Sequence, residues 1–388
     1  MKNRHVTAAV RAMALVCGVL LGAALASAGA NAEPQETKVI KTTTDSRGFD
    51  KRHTEVDLMY ETARQFIAAG QHDKAVVELE KVLKADGSRF DALHDLGTCY
   101  KQLKQFDKAS AAYERAVALY PEDTRLLANL GYYQLLAKDY EAAMKTYEGI
   151  LDKEPENYDA SVRMGFLYQG YKKYAEALTY YAKALELKSD DVQTMGSMAK
   201  IYFETGENQK GLEMYERAIP VASEKDAAKL RSQLGKAYIE TRQFDKSAVV
   251  FADLVAAEPG KASYRFNLGV SLMQVKRYAD AIPELEKAAA LKPDFCATYQ
   301  PLATSYEQTK QYRKAISIAR QGLEACESGK KAALYYAWGK GLEGLARHDE
   351  AIEKFRMAVK DPQWGTSAKK QIQRQQDLIK RAAAMKNK

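Results

Sequence analysis

Five side chains suited to gripping another molecule recur at nearly equal intervals: Tyr132, Phe166, Lys200, Lys236 and Val270, separated by 34, 34, 36 and 34 residues. The rings and the valine offer apolar contact and the lysines offer charge, which is the chemistry of holding a partner. Catalytic constellations do not assemble. The chain has no G-x-S-x-G, no H-E-x-x-H, no phosphate-binding P-loop and no Cys-x-x-Cys. Of its five histidines, His5 and His53 lie before the patterned region, and His72 and His348 occupy equivalent turns where an aromatic usually stands. Asp and Glu number 51, spread along what read as solvated helix faces, so no pair stands out as acid and base. The sequence predicts no catalytic residue, no metal site and no cofactor.

The elements that must carry the five residues are helices. Gly and Pro are few, 23 and 9 of 388 residues, while Ala, Leu, Lys and Glu recur throughout. One series of small residues runs Ala63, Gly97, Gly131, Gly165, Ala199, Gly235, Gly269, Ala303 and Gly339. A second runs Ala75, Ala109, Ala143, Ala177, Gly211, Ser247, Ala281, Ala315 and Ala351. Both advance by 34, 34, 34, 34, 36, 34, 34 and 36 residues, a fixed period that marks a repeat architecture. Two antiparallel helices approach closely only where side chains are small, and large ones such as Leu96, Tyr113, Tyr147, Tyr181 and Phe251 fill the space beside them. Phe106, Tyr140, Tyr174, Phe244, Tyr278 and Tyr312 introduce the second helices. Pro121, Pro155, Pro259 and Pro293 close repeats two, three, six and seven.

This pattern resembles the tetratricopeptide repeat (TPR). The resemblance implies an all-α, right-handed TPR superhelix (α-solenoid) of about nine helix-turn-helix repeats over 56–365. Repeats begin near 56, 90, 124, 158, 192, 228, 262, 296 and 332, and a basic capping helix and tail follow at 366–388. In TPR families the first helices line a concave groove through positions 2, 5, 9, 12 and 13 of each repeat. Here these give a partner-binding strip of Tyr132, Leu135, Leu136, Val162, Phe166, Lys200, Phe203, Lys236, Ile239, Phe266, Val270 and Met273. Repeat one gives Asp57, Tyr60, Arg64 and Ile67, repeat two is polar there, and repeats eight and nine turn polar again apart from Tyr336. No position 9 is Asn, so the carboxylate clamp known from some TPR domains is not expected. The cap's apolar stripe reads as Ile372, Ile379 and Ala383.

The remaining features concern location and partners. Lys2, Arg4 and Arg11 precede the apolar run 12–26, and Ala30-Asn31-Ala32 follows, the form of a cleaved export signal over 1–32. An uncleaved anchor is the other reading of that run. Residues 33–55 read as a polar leader. The expectation is export, to the periplasm or beyond. Net charge is +8, but 366–388 holds seven Lys or Arg against one Asp, leaving the repeats close to neutral. A near-neutral body lacks the basic surface that nucleic acid requires, and membrane contact is expected to be peripheral at most, through the tail. Cys296 opens the first helix of repeat eight and Cys326 ends its second, so the hairpin sets them side by side. In an oxidising compartment they could pair, or they stay separate thiols. The function expected is a non-catalytic scaffold binding a protein or peptide in its groove, in bacterial envelope assembly or secretion, with self-association open. The alternative is an accessory subunit of a polysaccharide-handling complex, or a glycan-binding module.

Overall fold

The computed structural model describes residues 55–326 and 331–386; the expected signal and nearly all of the leader lie outside these. Among the described residues the fold is all-α, an α-solenoid of antiparallel hairpins, in two compact units that end at Thr194 and begin at Met195. The first unit holds four hairpins. They are α1 (Glu55–Ala68) with α2 (His72–Ala85), α3 (Phe90–Gln102) with α4 (Phe106–Leu119), α5 (Thr124–Ala137) with α6 (Tyr140–Lys153), and α7 (Tyr158–Gly170) with α8 (Tyr174–Leu187). The boundary falls within α9 (Val192–Thr205). The second unit continues with α10 (Asn208–Ala218), then α11 (Glu224–Glu240) with α12 (Phe244–Ala257), and α13 (Ala262–Gln274) with α14 (Tyr278–Leu291). It ends with α15 (Tyr299–Gln308) and α16 (Tyr312–Ala325), α17 (Lys331–Gly344) and α18 (His348–Ala358), and α19 (Gly365–Lys386). No described helix is long and apolar enough to cross a membrane.

The small residues do what their spacing required. A Cβ built on Gly165 of α7 would lie 2.6 Å from Tyr181 Cδ1 of α8, and one on Gly235 of α11 would lie 2.8 Å from Phe251 Cε2 of α12. The ring therefore rests directly on the backbone of the facing helix, and Tyr181 and Phe251 are 2% and 0% exposed. Burying a ring of this size contributes on the order of a few kcal/mol, which a short two-helix unit needs. The turn joining the helices is equally regular. Gly70, Lys104, Lys138, Lys172, Gly206, Arg242, Lys276, Lys310 and Ala346 all have positive φ, and their intervals repeat those of the small residues. Each first helix thus ends on a left-handed residue that reverses the chain. The aromatics of the turn are the opening residues of the second helices rather than residues before them.

A further contact ties repeats two, six and eight to the repeat before each of them. Tyr238 Oη donates to Glu216 Oε1 of the preceding second helix at 2.6 Å, and Lys246 Nζ lies 5.3 Å over the same ring. Tyr306 repeats this with Glu286 and Lys314, and Tyr100 with Glu80 and Lys108. Each tyrosine is a bracket, its ring under its own repeat's lysine and its hydroxyl on the neighbour's carboxylate.

The first 36-residue interval is explained locally. Ile219–Val221 forms a short 3-10 turn with Pro220, and Ser223 then caps α11, its Oγ accepting from the Asp226 N–H. The extra residues lengthen the connection, and α11 starts at Glu224, four residues before the expected 228. The second such interval includes 327–330, outside the described residues.

The expected stripe is only part of the inward face of the terminal helix. Ile372 and Ile379 are half-buried, but Ala368 and Gln375 are fully buried and Ala383 is exposed. Counted from residue 366, one more period of 34, Ala368, Ile372 and Gln375 fall at positions 3, 7 and 10. Leu334, Trp338 and Gly341 hold those positions in repeat nine. The helix α19 stands in the register of a tenth first helix. His348 of α18 ties it down, its Nδ1 lying 2.6 Å from Gln375 Oε1.

Candidate functional site

The residues of the expected strip belong to two units, and each group has its own surroundings. In the first unit Tyr132, Leu135, Leu136, Val162 and Phe166 are all half-buried. Tyr132 meets Tyr133 edge-on, with ring centres 5.3 Å apart, and Lys101 Nζ stands 5.9 Å from its centre on the other repeat's first helix. Tyr133 is itself stacked on Tyr113 at 5.0 Å, so Tyr132 is the outermost member of an aromatic column rooted in the core. Leu136 packs against the same core and is less available than its spacing suggested.

Leu135 packs against the cluster of α6 and α7 residues that contains Tyr147. It stands at position 12, as do Gln169, Phe203, Ile239 and Met273 of the next four repeats. Gln169 accepts from Tyr181 Oη at 2.9 Å across the same hairpin. In the second unit Phe203 stacks on Tyr215, centres 5.8 Å apart, and its ring fills the space that a side chain at Gly211 would occupy, 2.8 Å from its ideal Cβ. Ile239 and Met273 pack against the cluster containing Phe251 and Leu285. In repeats four and five position 12 therefore leans on the second helix, and Phe203 in particular is a hairpin-filling residue. Its ring takes the volume that a larger residue at Gly211 would have used.

What remains in the second unit is a compact face. Phe266 and Val270 are half-buried on one side of α13, both against the cluster of α12 to α16 residues, and Lys236 on α11 is exposed. Lys200 on α9 is likewise exposed. The sequence reading missed Phe295, whose ring meets Phe266 edge-to-face with centres 4.8 Å apart. It lies just before repeat eight, 29 residues after Phe266, and the same offset pairs Arg89 with Tyr60, the guanidinium 4.5 Å over the ring. That recurring offset was the available signal.

The polar ends of the strip are closed by internal pairs. Arg89 Nη1 holds Asp57 at 2.8 Å and Tyr60 Oη donates to Asp95 at 2.9 Å. Burial first, and then Asp95, hold the Tyr60 phenol well above its ordinary range. In repeats eight and nine Lys340 lies between Glu343 at 2.7 Å and Glu307 at 3.8 Å. Groups engaged this way stiffen the face instead of offering it.

The cysteines divide by environment. Cys99 is fully buried, and burial pushes its thiol up to about 11, leaving it protonated and unreactive at neutral pH. Cys296 and Cys326 have Cα atoms 5.5 Å apart and sulfurs at bonding distance. No group of three or more metal-ligating side chains is found among the described residues.

Comparison with known proteins gives the relationship. Family models described as "Tetratricopeptide repeat" match residues 66–130, 158–191 and 232–294. The TPR repeat-containing protein YpiA of Bacillus subtilis (strain 168) is 25% identical over 148 residues, covering 37% of this chain and 35% of that protein. The Hsp70-Hsp90 organizing protein of Triticum aestivum is 29% identical over 102 residues, covering 26% of this chain and 18% of that one. The matches thus span about a third or less of those relatives' own lengths. A solved tetratricopeptide repeat protein from Parabacteroides merdae ATCC 43184 is 18% identical with a TM-score of 0.44, covering 65% of this chain and 98% of that one. With three repeat matches in the register that its small residues keep, the chain is a member of the tetratricopeptide-repeat superfamily.

Proposed function

We propose that this chain is a non-catalytic scaffold that holds a peptide or protein segment on the exposed side of its first helices. TPR proteins generally mediate protein–protein interaction. The observation that carries the reading is the Phe266–Phe295 pair with Val270 beside it, apolar groups left half open at α13 while polar groups at the two ends of the strip are paired internally. Such a patch, with an exposed lysine on the adjacent first helix, suits an extended segment with an apolar anchor. Phe266→Ala with Val270→Ala is expected to weaken capture of the partner in a cross-linking pull-down by at least about tenfold. Helicity by circular dichroism should stay unchanged; full capture by the double variant would sink the reading. A glycan array run beside the pull-down tests the alternative of a sugar-binding module.

The basic start, the apolar run and the Ala30-Asn31-Ala32 motif support export, with a role in envelope assembly or secretion. In that oxidising setting Cys296 and Cys326 are bonded, closing repeat eight. Peptide mapping of exported protein without reductant is expected to recover the two segments linked; recovery as separate peptides would contradict the bond.

A further inference from the structure

Position by position, α19 repeats the first helices, and its outward positions carry a different chemistry from theirs. Ser367, Lys370, Arg374 and Leu378 stand at positions 2, 5, 9 and 13, and with Arg381 they line an open cleft of about 930 Å³ against Tyr336 of α17. Tyr336 is held at the cleft by Trp364, ring centres 4.9 Å apart, and by Phe355 at 5.3 Å. The one carboxylate in the lining, Asp377, accepts from Gln373 at 3.0 Å. Arg374 Nη1 lies 3.3 Å from Glu343 Oε1, an ion pair that leaves the arginine side chain exposed. Gln371 also lines the cleft, and its Oε1 is a buried acceptor with no hydrogen-bond partner. From Gly365 to Lys386 there are six Lys or Arg and one Asp.

We infer that the cleft between α17 and α19 is a docking site for an acidic peptide segment, with Tyr336 as the aromatic floor and Lys370 and Arg381 as the flanking cations. Charge complementarity selects the occupant: an excess of positive groups faces the cleft, where a neutral or basic segment would leave them uncompensated. Tyr336, half-buried at the cleft, gives such a segment an aromatic contact besides charge. The inference rests on the reading that the first-helix side receives partners, and it adds the chemistry expected at the C-terminal end. At position 8 of α19, Gln373 replaces the usual small residue.

The test is fluorescence anisotropy with the full chain and two labelled dodecapeptides. One carries Asp and Glu around a single Phe, and the other has Asn and Gln at every acidic position. The acidic peptide is expected to bind, and the neutral one to bind at least about tenfold more weakly. Affinity should fall as salt rises past about 0.15 M. Lys370→Glu with Arg381→Glu should abolish binding, whereas Lys369→Glu with Lys380→Glu, the same charge change on other faces of α19, should leave it within about twofold. Equal loss in both pairs would show general attraction to a basic helix and overturn the site, as would equal binding of the two peptides. Sedimentation with vesicles of anionic phospholipid, taken up in preference to the peptide and released by the Lys370 and Arg381 reversals, would overturn it in favour of a membrane contact. Phe266→Ala with Val270→Ala separates the two ideas. Loss of the cellular partner with acidic-peptide binding retained supports both. Loss of acidic-peptide binding only in the Lys370 and Arg381 variant supports the cleft, even if partner capture ignores Phe266. No acidic-peptide binding beside Phe266-dependent capture refutes the cleft alone.

Discussion

Replacing Gly165 with Leu is expected to cost about 3 kcal/mol of stability, at the upper end for overpacking in a close-packed interior. The first added carbon alone would sit 2.6 Å from Tyr181 Cδ1 and 2.7 Å from Cε1. Tyr181 is 2% exposed and its hydroxyl is engaged by Gln169, so the ring has nowhere to turn without losing that bond. Gly165→Ala is expected to destabilise too, by about 1–2 kcal/mol, although in an exposed helix the same change stabilises. Repeat one shows the permitted combination, Ala63 with Leu79, both fully buried. Tyr181→Leu should therefore be less harmful in the Gly165→Ala background than alone, a coupling of about 1 kcal/mol in a double-mutant cycle. Urea unfolding of the four proteins measures it. Strictly additive losses would mean that the glycine is not there for the ring.

Raising the pH above 10 is expected to unfold the chain over a narrow range. Burial is the largest influence on the phenols of Tyr60, Tyr113, Tyr158, Tyr215, Tyr238 and Tyr306, and all are held above the ordinary value of 10.0. Hydrogen bonds to Glu216 and Glu286 add to this at Tyr238 and Tyr306, and Tyr215 is pushed up to about 12. In the unfolded chain these groups ionise near 10. Above that pH the unfolded state sheds protons that the native state keeps, so the contribution is complete below 10 and lost as pH rises towards 12 and beyond. For Tyr215 alone the loss amounts to about 3 kcal/mol. Circular dichroism against pH should show a cooperative loss beginning above 10. Tyr238→Phe with Tyr306→Phe should be less stable near neutrality and less steeply affected by alkali. A flat profile to pH 12 would contradict the burial assigned to these rings.

The repeat was legible because its cause is local: a close approach needs a small residue, and the same approach recurs in every hairpin. Gly165 and Tyr181 announce each other sixteen residues apart, and no other arrangement of two short helices requires both. The face was legible only in part. Spacing places Phe203 on the same line as Ile239 and Met273, but whether a ring turns outward depends on the volume opposite it, and Gly211 leaves that volume empty. Phe295 escaped because it precedes its helix, where only the 29-residue offset shared with Tyr60 and Arg89 marks it. The register of α19 escaped because Gln373 occupies the position where a small residue would have signalled it. The Tyr–Glu–Lys brackets link consecutive repeats, so the pattern inside any one of them cannot reveal the contact.

The claim that the first-helix side receives the partner is tested most directly by placing a photo-reactive phenylalanine analogue at single positions of the chain in its native cell. One position is Val270, half-buried beside Phe266; the other is Val249, 64% exposed on the second helix α12. Irradiation is expected to give a discrete protein adduct from position 270 and none from 249. Adducts from 249 with none from 270 would contradict it.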